Sequence, residues 1–465
     1  MLGLLLLAAA SASFLRQPEA GRLLPVVGVV ALFPLVPLVQ LIPLPPFLWA
    51  SLPGHVTFAD ELRLVVSSLP WRPITLSTEA TRQALFSLAA PLAVFIATLL
   101  LSYWERRLVS WLVLGFGLLS VVLGMAQLAG GKYSPLRFYQ LTDTSEAVGF
   151  FANRNHFSAF LYCLLPLAAV WVVGLGLRVR RSRRSHNINP QSLVPYLGAI
   201  AMFAALLFAQ GLVRSRAGLV ITIVAAMVSL ALALPYRNRE VGAKVVKGLF
   251  GAIAVAIVLV ALFALFRILQ RFDVDPVDDL RWVILRGSGQ ALRLFFPVGA
   301  GLGTFDVVYP MFEQAGAVTA EYINRAHDDF VEATIESGVL APVVLVIFLI
   351  WLGRTMRRAW GPASTDLSSI DASLARAGAF IPVLLLFHSA VDYPLRTDAL
   401  MAMTAFGCAV AVPPIAVSPE ESEIRPARKR HHRREYDEQA AVEPEGVLEP
   451  VGAAAQRGLA TGRAA

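Results

Sequence analysis

The chain has 465 residues, 57% of them hydrophobic and 15% charged, with a net charge of +8 and a mean hydropathy of +0.64. Soluble domains carry roughly 25% charged residues, so this composition excludes a single soluble domain and points to an all-α polytopic membrane protein. Cys163 and Cys408 both fall in apolar segments and read as buried free thiols, which excludes a disulfide framework and leaves no expected metal site.

A bilayer core needs roughly 20 apolar residues per spanning helix. Apolar runs lie near 1–15, 23–49, 83–103, 108–128, 155–177, 193–211, 214–235, 248–268, 335–353, 377–391 and 397–415, which makes about eleven spans. The first is short. It lacks the preceding basic residues and the cleavage site of a signal peptide, so it reads as a weak span. Residues 1–415 form the expected membrane domain, and 416–465 a polar, disordered cytoplasmic tail.

Basic residues orient the spans, because short cytoplasmic loops collect Lys and Arg. Arg106 and Arg107, the RVRRSRR run at 178–184, the cluster Arg237, Arg239, Lys244 and Lys247, the trio Arg354, Arg357 and Arg358, and the basic tail all alternate onto one side. The six basic residues from Arg425 to Arg434 suit contact with anionic lipid headgroups or plain solvation. The opposite side then receives 50–81, 129–154, 211–216, a long segment 269–330 and the turn 388–396. In a bacterial inner membrane that side is the periplasm. Within the long segment, DDLRWVILRGSGQALRLFF has the spacing of an amphipathic helix at the interface.

Unusual polar residues gather at span ends on that outer side. They are Asn153, Arg154, Asn155 and His156; Arg214, Ser215 and Arg216; Arg281 and Arg286; His327, Asp328 and Asp329; and His388, Asp392 and Arg396. Arginine forks match phosphate oxygens, and a neutral histidine accepts a proton from an attacking hydroxyl. Together they suit displacement of a lipid-linked phosphate or pyrophosphate. Simpler readings exist for each part. Arginines snorkel, Asp328 and Asp329 favour a helix N-terminus, and Asp328, Glu332 and Glu336 at i, i+4, i+8 make a wetted stripe. His388 and Asp392, also i and i+4, form a structural hydrogen-bonded pair. The shared side argues for a joint role. Two motifs carry less weight. DVD at 273–275 has the form of a metal site for nucleotide sugars but lies on the wrong face for them. GAGLGTF at 299–305 lacks the strand-then-helix context of a phosphate loop and reads as a tight turn.

His327-Asp328, nine residues, then Gly338-Val339-Leu340-Ala341 resembles the hallmark of the O-antigen ligase family, a His followed by Asn, Ser or Gln, nine residues, and Gly-x-x-small. Asp328 and Ala341 depart from the usual residues while the spacing holds. GFFANRNHFSAFL at 149–161, VRSRAGL at 213–219, FPVGAGLGTFDVVYP at 296–310 and HSAVDYPLR at 388–396 extend the resemblance over 149–396. The resemblance implies a GT-C-like, inverting, metal-independent glycosyltransferase of the bacterial inner membrane with its active site facing the periplasm. The donor would be a glycan on undecaprenyl pyrophosphate. The acceptor would be lipid A-core for a ligase, or a lipid-linked saccharide for an O-antigen or exopolysaccharide polymerase. By the same resemblance His327 is the general base, and Arg216 with Arg281 or Arg286 binds pyrophosphate. Arg214 joins them as a pyrophosphate ligand, and Arg154, His156, Asp328, His388, Asp392 and Arg396 support. No cofactor and no nucleic acid is expected. The rival is a polysaccharide transporter or flippase, which would place ionisable groups near the midplane and show a repeat. Neither is evident in the sequence.

Overall fold

A computed structural model describes residues 2–184, 190–233, 251, 254, 276–313, 323–361 and 368–415. The expected span 248–268 (two positions apart), the DVD at 273–275 and the tail after 415 lie outside the described residues. The longer helices are α1 (Leu2–Leu15), α2 (Leu24–Gln40), α3 (Thr78–Ser87), α4 (Ala89–Leu100), α5 (Tyr103–Ala129), α6 (Arg154–Arg184), α7 (Pro190–Val213), α8 (Arg216–Ala231), α9 (Pro276–Phe295), α10 (Asp329–Ser337), α11 (Leu340–Trp360), α12 (Ser369–Ser389) and α13 (Asp398–Val410). Among the described residues the only strands are Pro43–Leu44 and Arg72–Pro73, paired antiparallel. The all-α expectation is met.

Among the described residues, 7 helices are long and apolar enough to cross a membrane: Ala20–Gln40, Thr78–Leu100, Tyr103–Ala129, Arg154–Val179, Gln191–Val213, Leu340–Trp360 and Ile370–Ser389. Leu2–Leu15, Arg216–Ala231 and Asp398–Val410 are apolar but shorter. A helix of 13 residues such as α13 rises roughly 20 Å, against a hydrocarbon core of roughly 30 Å. Among the described residues length therefore supports seven crossings, with three of the expected spans on shorter helices and the expected span 248–268 outside the described residues.

α6 is apolar all round, as a helix enclosed by others must be. Phe157 to Val173 are all buried, Pro166 included, and α5, α7, α8, α12 and α13 surround them. Hydrophobicity does not drive such contacts in lipid, so close packing of small residues must. Ala168, Ala169, Ala199, Ala209, Ala225 and Ala377 supply it here. Between α12 and α13 the backbones nearly touch: a Cβ on Gly378 would meet the Gly407 carbonyl oxygen at 2.7 Å.

The two ends of the bundle differ chemically. At one end Arg107 grips Asp371 with both prongs, Nε to Oδ1 at 2.7 Å and Nη2 to Oδ2 at 2.5 Å, joining the starts of α5 and α12. Its neighbour Arg106, expected as a loop cation, is instead buried, donating to the carbonyls of Thr98, Leu101 and Val412. The free carbonyls at the end of α4 need such a donor. α12 runs from this end to His388 at the other, where the outer polar residues meet.

On that second side α9 packs Ile284, Ala291 and Phe295 against Phe305, Tyr309 and Ile335. Its opposite stripe, with Trp282, Leu285, Arg286, Arg293 and Leu294, is exposed, so the expected amphipathicity is present. The glycine segment after it forms the expected tight turn. Gly299, Gly301 and Gly303 take φ of 88°, 111° and 86°. The Gly301 amide donates to the Glu336 carbonyl at 2.8 Å, and Gln40 Nε2 donates to the same oxygen at 2.8 Å. This turn buttresses α10 rather than cradling a phosphate.

Candidate active site at one end of the bundle

The segment preceding α10 ends in two residues with opposite backbone habits. His327 has φ of 54°, and Asp328 is extended with φ of −155°. Asp328 Oδ1 accepts from the amides of Phe330 and Val331 at 2.9 and 3.0 Å, capping the helix. An N-cap aspartate satisfies donors the helix leaves open and complements its dipole. Asp328 is therefore a cap, a task that suits a carboxylate. It is not on the stripe expected from its spacing. The inward face is instead Asp329, Glu332 and Glu336, all buried and engaged with Arg396, so the wetted-stripe reading is corrected. The cap shifts Asp328 out of helical phase, which the i, i+4 count assumed.

The left-handed turn at His327 aims its ring at the turn after α12. Nδ1 lies 3.2 Å from Asp392 Oδ1. Asp392 is fully buried, and its Oδ2 accepts from Asn155 Nδ2 at 2.7 Å. Burial opposes ionisation of this carboxyl. The His327 hydrogen bond, with His156 and His388 close by, nonetheless holds its pKa well below the usual carboxylate range. Asn155 is fixed in turn by Ser215, whose Oγ donates to Asn155 Oδ1 at 2.9 Å. Ser215 also accepts from the Gly218 amide at 3.1 Å as the N-cap of α8. The beginnings of α6, α8 and α10 and the turn after α12 thus converge on one carboxylate.

Tyr393 sits between two histidines. Its ring centroid is 5.0 Å from that of His327 and 4.9 Å from that of His156, both edge-on. Its hydroxyl accepts from Asn153 Nδ2 at 3.5 Å, and burial first among other influences raises its pKa to about 12. His156 Nδ1 pairs with Thr397 Oγ1 at 3.1 Å. His388 does not form the expected hydrogen bond with Asp392: Nε2 stands 3.9 Å from Oδ2, while Nδ1 pairs with the Tyr162 hydroxyl at 2.9 Å. The buried tyrosine on α6 holds Nδ1, and Nε2 faces Asp392 from beyond hydrogen-bond reach, Asp392 lying past the end of α12 at Ser389.

The arginines separate into groups. Arg214, with φ of 53°, places Nη1 3.2 Å from Glu146 Oε2, and Arg154 Nη1 lies 3.7 Å from Glu146 Oε1. Both therefore share one buried carboxylate from the 129–154 loop. Arg216 is the first residue of α8 and half-buried. Arg281 is half-buried, with its Nε enclosed and without a hydrogen-bond partner among the described residues. It lies close enough to His388 to interact electrostatically. Arg286 points the other way, on the exposed stripe of α9. The sequence reading named Asn155 but did not single out Glu146, Tyr162 or Tyr393. Tyr393 stood inside a stretch already marked, whereas Glu146 was one of several charges in an outer loop.

A cavity of about 860 Å³ runs beside α10 between α2, α3, α4, α11 and α13. Its walls are mostly apolar, with Phe33, Leu92, Phe95 and Phe348 among them, and Asn324, Arg325, Asp329 and Arg396 stand in its polar part.

A family model described as O-antigen ligase matches residues 197–349. That stretch carries Arg214, Arg216, Arg281, Arg286, His327 and Asp328, while Arg154, His156, His388, Asp392 and Arg396 lie outside it. Among curated proteins, none matches the chain. The family joins multi-pass membrane helices to glycosyltransferase chemistry of the O-antigen ligase and polymerase type on lipid-linked saccharides. Over residues 197–349, about a third of the chain, the sequence is similar to the O-antigen ligase family.

Proposed function

We propose that this protein moves a glycan from undecaprenyl pyrophosphate to an acceptor hydroxyl at the periplasmic face of the bacterial inner membrane, as in O-antigen ligation to lipid A-core. The observation that carries the mechanism is the contact of His327 Nδ1 with Asp392 Oδ1 at 3.2 Å. An ionised Asp392 requires Nδ1 to carry the proton, which leaves the Nε2 lone pair to accept one. The acceptor hydroxyl gives its proton to Nε2 as its oxygen bonds to the anomeric carbon. The bond from that carbon to the pyrophosphate oxygen breaks on the opposite face, giving inversion. The displacement assigns no role to a metal ion.

Departing pyrophosphate gains charge, and arginine donors stabilise it. Arg281 and Arg216 are the favoured pair. The exposure of Arg286 on the outer stripe argues against it, and the shared Glu146 gives Arg214 and Arg154 a supporting place. The apolar walls of the cavity suit the hydrocarbon chain of a lipid-linked substrate. The alternative, a polymerase joining lipid-linked repeat units, uses the same dyad and differs in acceptor. A flippase lacks such a supporting observation, since the ionisable cluster lies at one end of the bundle.

The test is reconstitution with an undecaprenyl-pyrophosphate glycan and each acceptor separately. The wild-type chain should extend one of them, and His327→Ala should lower the rate by roughly 10²–10⁴-fold while inserting normally. A variant as active as wild type, or a wild type that extends neither acceptor, would refute the reading.

A further inference from the structure

α10 and the turn after α12 lie 60 residues apart in sequence, yet one side chain holds them together at three points. Arg396 Nη1 donates to Glu336 Oε2 at 2.7 Å. Its Nε lies 3.4 Å from Glu332 Oε1 and 3.6 Å from Asp329 Oδ1. The carboxylates stand at i, i+3 and i+7, which places them on one helical face. The network extends to both sides of His327. Arg325 Nη1 and the Ala326 amide donate to Glu332 at 2.8 and 2.9 Å. Ser389 Oγ and the Leu395 amide donate to Asp329 Oδ2 at 2.7 and 3.1 Å. Residues 325, 326, 329 and 332 bracket His327, and residues 389, 395 and 396 bracket Asp392.

Buried ion clusters add little net stability, because desolvation offsets their attraction. Their geometry is nevertheless strict, and here it fixes one chain segment against another. We propose that Arg396 is a positioning residue for the His327–Asp392 pair: by binding three carboxylates of α10 it holds that helix in register with the turn carrying Asp392. This rests on the reading of His327 as the base. Arg396 itself touches none of the reacting atoms. A shift of about 1 Å at such a pair is enough to lower a rate by roughly 10²-fold.

Two variant sets test it in the full chain, reconstituted and quantified as folded protein. Arg396→Ala should lower kcat by about 10²-fold, and because Arg396 lines the cavity, added methylguanidinium should restore at least about tenfold of it. Since the cavity also touches substrate in the proposed function, KM is read in the double variant Glu332→Gln/Glu336→Gln, neither of whose side chains lines it. There kcat should fall at least about tenfold with KM for the donor unchanged within about threefold. The double variant also keeps the proposal testable if Arg396→Ala does not fold. A double variant with wild-type kcat overturns the proposal, as does one that loses activity only through KM or only through a smaller folded fraction. If His327→Ala is active, the base reading fails instead. If His327→Ala is inactive while the double variant is normal, the positioning role alone fails.

Discussion

Asp392→Asn is the sharpest probe of the dyad, because the surroundings dictate how the amide must turn. Asp392 accepts on both oxygens, from His327 Nδ1 at 3.2 Å and from Asn155 Nδ2 at 2.7 Å. An asparagine offers one acceptor and one donor group. Asn155 cannot readily reverse, since its Oδ1 accepts from Ser215 Oγ at 2.9 Å. The new carbonyl therefore faces Asn155 and the new amide faces Nδ1, which forces the proton onto Nε2 and removes the base. Keeping the working tautomer would instead set two donors face to face in a buried site, at about 1–3 kcal/mol. Losing the carboxylate beside the developing imidazolium adds about 1.5–3 kcal/mol. The sum corresponds to a fall in kcat of about 10²–10⁴-fold. Single-turnover transfer from a lipid-linked glycan would measure it. The exchange Asn155→Asp with Asp392→Asn restores an acceptor beside residue 392, lets its carbonyl face Nδ1–H, and should regain at least about tenfold over the single variant. Retention of more than a third of wild-type kcat in Asp392→Asn, or no recovery in the exchange, would refute the tautomer argument.

Two further outcomes follow from α10. Gly338 has φ of 55° and a Cβ there would lie 1.9 Å from the Pro297 carbonyl oxygen, so Gly338→Ala should destabilise the protein by on the order of 3 kcal/mol; a change under about 1 kcal/mol in detergent unfolding would contradict the packing. Burial raises the Asp329 pKa to about 7, opposed by Arg396 and the Ser389 hydrogen bond, with Glu332 pushing the same way as burial. The folded state then keeps a proton that the unfolded chain releases near pH 4. Stability from the protonated form is full below about pH 4 and is lost as pH rises to about 7, so the wild type should weaken over that window relative to Asp329→Asn. Parallel stability–pH curves for the two proteins would rule this out.

The sequence alone determined the helical membrane class, because apolar runs of spanning length leave the backbone no other way to satisfy its hydrogen bonds in lipid. It also marked the short stretches around 153–156, 214–216, 327 and 388–396, since charge near hydrocarbon is rare enough to stand out. What it could not supply was pairing. Helical spacing joined His388 to Asp392 and aligned Asp328 with Glu332, yet Asp328 leaves the stripe as a helix cap, and the His388 and Asp392 side chains stand 3.9 Å apart without a hydrogen bond. The partner of His327 comes from 65 residues away, and that of Arg214 from a loop 68 residues earlier. Such contacts are set by which helices pack side by side, and each polar group then bonds whatever donor or acceptor the packing delivers. The tertiary structure therefore decided that Asp392 pairs with His327, that Asp328 caps a helix, and that Arg396 binds the acidic face of α10.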